Sequence, residues 1–151
     1  MEPTPPALPP ESIVSGFELI FLLKLGVSLV AGFLIGVERE SRHKPAGIST
    51  HTFVIAGAMM FSLLSTVLSR GDPGRIAAQI VTGVGFLGAG IILKEGSRLQ
   101  NVTTASSIWF AAAIGMAIGF GWYLIAGIAT LFSIFVPRIP HIAKKPEDQD
   151  R

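Results

Sequence analysis

The sequence predicts an all-α membrane protein, a five-transmembrane-helix bundle with the N-terminus outside and the C-terminus cytosolic. Three observations lead there. Half of the 151 residues are hydrophobic and only 15% are charged, against roughly 25% in ordinary soluble domains, and the mean hydropathy is +0.59. The apolar residues lie in runs that match a ~30 Å hydrocarbon core, which takes about 20 helical residues at ~1.5 Å each. Lysine and arginine gather on alternate connectors. With five spans the inner side holds Arg39, Arg42, Lys44, Lys94, Arg98, Arg138, Lys144, Lys145 and Arg151, nine bases against Arg70 and Arg75 outside, as the positive-inside rule requires. Four spans would leave five bases inside and six outside.

Taken in order, residues 1–14 form an acidic, proline-rich tail expected to be disordered, the opposite of a basic signal-peptide start. Residues 15–137 form the transmembrane domain, with helices expected at about 17–37, 52–69, 75–94, 103–119 and 121–137, and 138–151 form a charged cytosolic tail. The first helix carries Lys24, a costly residue at this depth unless it snorkels to the headgroups or meets a polar partner. Helical spacing gathers Lys24, Ser28, Ala31, Ile35 and Glu38 within about 40° of one stripe, with Gly32 and Gly36 on a neighbouring small-residue face suited to helix contact. The stripe is expected to face protein.

Glu38 to Thr50 is the most charged connector, turned by Pro45-Ala46-Gly47, with Ser49 or Thr50 available to cap the second helix. A tight turn at 70–75, with Asp72 as N-cap and Pro73 as first helical residue, makes the second and third helices an antiparallel hairpin. In the third helix Gly83 and Gly90 fall with the intramembrane polar residue Gln79 on one side, and Gly85 and Gly88 on the other. It is expected at the bundle centre or against a second protomer. Gly83-Val84-Gly85-Phe86-Leu87-Gly88 matches a dinucleotide fingerprint only superficially, since no βαβ unit surrounds it. Lys94 to Val102 reads as a polar connector. The apolar stretch from Ala105 to Val136 is too long for one span and should break at Gly119-Phe120-Gly121.

The inner edge then collects Glu38, Arg39, Glu40, Lys44, His51, Lys94, Asn101, Thr103 and Thr104. Glu38 and Glu40 are the candidate oxygen ligands for Mg²⁺, but at i and i+2 they diverge by about 200° on a continuous helix. Glu38 and Arg42, at i and i+4, read as an ordinary ion pair. His51 reads as helix-start capping and Thr103-Thr104 as an N-cap with interhelical bonding, with no catalytic residue among them. The absence of cysteine excludes a disulfide framework, a thiolate nucleophile and a Cys-ligated metal. The basic pI near 9.3 reflects membrane orientation, and no nucleic-acid partner is expected.

Three stretches, Gly32 to Glu40 with Lys44-Pro45-Ala46-Gly47 and Thr50-His51, then Arg75 to Gly90, then Thr103-Thr104-Ala105 with Trp109, resemble the MgtC/SapB family of bacterial inner-membrane proteins. The resemblance covers about residues 17 to 137. It implies a five-helix inner-membrane domain linked to magnesium homeostasis and adaptation to low Mg²⁺ and, in pathogens, to survival inside macrophages. It also implies action through membrane partners, including the proton-translocating ATP synthase, more than Mg²⁺ transport. Ser49 stands where that family often has arginine, Asn101 stands where glycine is common, and the cytosolic C-terminal domain of the virulence-related members is expected to be absent. The reading is therefore a non-enzymatic membrane regulator, homo-oligomeric and most simply a dimer, with Mg²⁺ as the one cofactor to test. The alternative is an ion transporter or channel using Lys24, Gln79 and Glu38.

Overall fold

The computed structural model describes residues 16–139 apart from 69–71, 73, 96 and 97, so the expected N-terminal tail and nearly all of the C-terminal tail lie outside the described residues. Five helices form an all-α bundle: α1 (Gly16–Ser41), α2 (Ile48–Leu68), α3 (Gly74–Ile91), α4 (Val102–Gly119) and α5 (Tyr123–Phe135), the last extended by a 3₁₀ turn, Val136–Arg138. The first four are long and apolar enough to cross a membrane. The exposed residues of the five helices are largely leucine, valine, isoleucine and phenylalanine, as at Leu22, Leu29, Phe33, Phe86, Leu124 and Phe132, the surface that a bilayer solvates.

The centre of the bundle is α2 with α4, and α4 touches all four other helices. Ile35, Ile55, Met59, Ile114 and Ile118 fill the core they share with α1. The close approach of α4 to α2 depends on Gly115 and Gly119, where a Cβ would collide with the backbone of Ile55 and Met59. Helix α3, expected at the bundle centre or against a second protomer, is not at the centre and packs at the periphery against α4 and α2. A Cβ added at Gly83, Gly85 or Gly90 would meet nothing within 4 Å, and only Gly88 makes an ordinary contact, with Ala105 at 3.6–3.7 Å. Gln79 is likewise exposed. Two-sided glycine periodicity marks a helix able to pack on both sides, but within one protomer the partner helices cover only one side.

Two helix ends are closed in the same way. At the end of α1, Lys44 N–H donates to the Arg39 carbonyl and His43 N–H to that of Glu40, with His43 left-handed at φ 54°. At the end of α4, Trp122 N–H donates to Ala117 and Gly121 N–H to Ile118, with Gly121 at φ 84°. These Schellman closures satisfy late carbonyls and reverse the chain without a long loop. The connector after α3 holds an antiparallel pair of short strands, β1 (Leu93–Glu95) and β2 (Arg98–Gln100), with Glu95 opposite Arg98. The intervening Gly96-Ser97 dipeptide is a hairpin-turn sequence, and it carried the signal that a polar connector would fold back on itself.

Candidate functional site at the polar end of the bundle

Helix α1 continues past the expected boundary at Val37 through Ser41, so Glu38 and Arg39 are helical residues carried into the bundle, not a loose connector. Lys24, Ser28, Ala31, Ile35 and Glu38 are all buried, and Arg39 joins them at 1% exposure. Gly32 and Gly36 bring α1 against α2 so closely that a Cβ would collide with the backbone of Thr52 and Ile48. That contact fixes the height at which Glu38 and Arg39 enter.

Arg39 Nη2 donates to Thr104 Oγ1 at 2.7 Å, while its Nε finds no acceptor. Glu38 Oε1 receives Arg42 Nη1 at 3.4 Å, while its Oε2 is also buried and unpartnered. Arg42 donates as well to the Pro137 carbonyl, tying the end of α1 to the end of α5. Glu40 turns the other way. Its Oε1 accepts the Ile48 N–H at 2.9 Å, capping α2 over Gly47, where a Cβ would strike the carboxylate. The α2 cap therefore comes from Glu40, eight residues upstream, because α2 begins at Ile48 and leaves Ser49 and Thr50 inside the helix. The two acids do not converge, and the described residues contain no group of three or more histidine or acidic side chains placed to hold a metal ion.

His51 lies within the first turns of α2 and is fully buried. Its Nδ1 pairs with the Gly47 carbonyl at 3.0 Å and its Nε2 with Ser107 Oγ at 3.3 Å, so it joins α2 to α4 and does not cap the helix start. A carbonyl only accepts, so Nδ1 carries a proton in this pairing. Ser107 Oγ is also within reach of the Thr104 carbonyl, at 2.8 Å, and extends the polar contacts between α2 and α4. Thr104 lies in the first turn of α4 behind Asn101, the N-cap residue, which makes no side-chain capping bond. Asn101 holds φ 64°, a conformation glycine reaches without strain and asparagine better than most, and its Nδ2 donates to the Ile91 carbonyl at 3.4 Å. Thr103, Lys44 and Lys94 are exposed.

At the opposite end Lys24 is 7% exposed and donates through Nζ to the Gly119 carbonyl. The Schellman closure takes the Ala117 and Ile118 carbonyls; Lys24 takes the next. Of the two roles open to it in the sequence, a buried partner is the one realised.

The sequence profile described as the MgtC family matches residues 25–144. The chain belongs to the MgtC family. It is 44% identical over 111 residues to Protein MgtC of Salmonella typhimurium and 47% identical over 114 residues to Protein MgtC of Brucella abortus, in each case 74% of this chain and 48% of the relative. Protein MgtC of Salmonella typhi matches at the same 44% and the same coverage. The chain spans about half the length of these MgtC relatives. No solved structure matches it. As an MgtC-family chain with several membrane-length helices, it is a multi-pass membrane protein. Its buried Arg39, Glu38, His51 and Thr104 all lie within the matched segment.

Proposed function

We propose that this protein is a non-enzymatic regulator of the bacterial inner membrane that acts in adaptation to low Mg²⁺. In this reading it lies with its N-terminus outside and contacts a membrane partner, such as an ATPase or ATP synthase subunit, through the cytosolic edge around Arg39. Relatives that bear the name MgtC over the matched region support the magnesium link. The observation that carries the contact role is the buried, half-satisfied pair at the edge, with Glu38 Oε2 and Arg39 Nε both lacking partners. Such groups are costly where only the fold matters and mark places where another molecule completes the bonding.

The transporter reading has one observation in its favour, the burial of Lys24 and Glu38 on one stripe of α1. Against it, Ile35, Ile55, Met59, Ile114 and Ile118 fill the bundle between those ends, and Gln79 faces outward. An ion path needs polar groups along its length. His51 is fully buried, with Ser107 half-buried beside it. The exposed face of α3 with Gln79 and Gly83, which lines a 470 Å³ groove with α2, suits a second copy of the chain.

Affinity capture from Mg²⁺-starved cells tests the reading. A membrane ATPase should co-purify with the wild-type chain and be lost with Arg39→Gln. Mg²⁺ flux into liposomes carrying the purified protein, abolished by Glu38→Gln, would sink the regulator in favour of the transporter.

A further inference from the structure

A cavity of about 450 Å³ opens beside the buried pair, lined by Arg39, Arg42, Lys44 and Thr103, with Val136, Pro137 and Ile139 closing the α5 side. That volume is within the range of ligand pockets, roughly 300–1,000 Å³. Three cations from one short stretch of chain share its wall, and no described acidic residue lines it. The neighbouring carboxylate of Glu38 is committed on one side to Arg42. The Lys44 side chain makes no hydrogen bond or ion pair among the described residues.

The cavity also meets the start of α4, an 18-residue helix whose N-cap residue offers its first turn no side-chain acceptor. The earliest of its N–H groups with an intrahelical acceptor at this end is Ala105, bonded to the Asn101 carbonyl, which leaves those of Val102, Thr103 and Thr104 without one. A helix start favours anions, yet the side chain the structure drives against this one is a cation, Arg39, 1% exposed and with its Nε unpartnered. Arg39 and Arg42 are like charges in the same wall. One ligand satisfies all of these groups together, an anion with several acceptor oxygens.

We propose that this cavity is a binding site for a phosphate group, held by Arg39, Arg42 and Lys44 over the first turn of α4. The site is separate from the choice between regulator and transporter. Its phosphate could be the headgroup of an acidic phospholipid or a free phosphate, and the same side chains would read both. Val136 and Ile139 on the cavity wall leave an apolar flank beside which an acyl chain can lie.

Native mass spectrometry of the full chain released from mixed micelles tests this, with phosphatidylglycerol, phosphatidylcholine or inorganic phosphate added. The wild type should retain phosphatidylglycerol over phosphatidylcholine by about tenfold. Lys44→Gln, an exposed change that leaves the fold alone, should weaken retention about fivefold, and Arg42→Gln with Lys44→Gln should abolish it. Arg75→Gln, on the α3 start, should retain as the wild type does. Retention of inorganic phosphate with the same dependence on Arg42 and Lys44, but of neither lipid, assigns the site to free phosphate. Equal retention of both lipids, or retention unchanged by the double variant, overturns the site. Circular dichroism on each variant separates lost binding from lost fold.

Discussion

The two ends of α4 each hold a buried cation from α1, and they hold it in opposite electrical settings. Lys24 meets the Gly119 carbonyl at the C-terminal end, the negative pole of the helix, where a positive charge is stabilising by roughly 0.3–1 kcal/mol and more when partly buried. Arg39 meets Thr104 in the first turn, the positive pole, where the same term is unfavourable. Lys24 is explained by the fold. Arg39 gains only the Thr104 hydroxyl there and leaves its Nε unpaired.

Four substitutions test how far that contrast holds. The largest effect should come from Gly36→Ala, whose Cβ has no room against the Ile48 backbone. Overpacking of this kind costs about 3 kcal/mol and would move the whole Arg39 end away from α2, read as a lower midpoint in SDS titration. Normal stability in that variant would mean that the α1–α2 contact does not set the height of Arg39. Next come the two cations compared directly. Lys24→Met leaves a helix-terminal carbonyl unpaired and should lose about 2 kcal/mol, whereas Arg39→Met removes a cation from a positive helix pole and should stay within about 1 kcal/mol of wild type. Equal losses at both positions would erase the distinction between a structural and a functional cation. The smallest effect belongs to Glu40→Ala, which deletes the acceptor of the Ile48 N–H. Loss of a cap costs roughly 0.5–1 kcal/mol, visible as faster hydrogen exchange at the start of α2.

The five-helix fold was legible because apolar runs of membrane length leave few alternatives, and the stripe from Lys24 to Glu38 follows from the 3.6-residue period alone. What was not legible is which helix lies at the centre. Glycines crowd α3, but α4, with only Gly115 and Gly119, is the one that packs on α2 backbone. Glycine spacing reports how close a helix can come to a neighbour, and the neighbour itself is a tertiary fact. The site was half visible. Glu38, Arg39 and Thr104 stood out as residue types, whereas the burial of Arg39 depended on α1 running four residues past Val37, a boundary that the charged residues concealed. The role of Glu40 as a remote cap required knowing that α2 starts at Ile48. His51 could have been placed from its spacing, three residues into α2 and toward Ser107, only once α2 and α4 were known to be neighbours.

The bond between Lys24 and Gly119 spans 95 residues, and that separation orders events during synthesis. Helix α1 leaves the ribosome long before the carbonyl that receives its lysine exists. Until α4 arrives, the ammonium group has only headgroups and water to solvate it, so α1 must wait shifted or tilted toward one face of the bilayer. The bond that holds the lysine in the folded bundle can form only once α4 is in place to supply the Gly119 carbonyl.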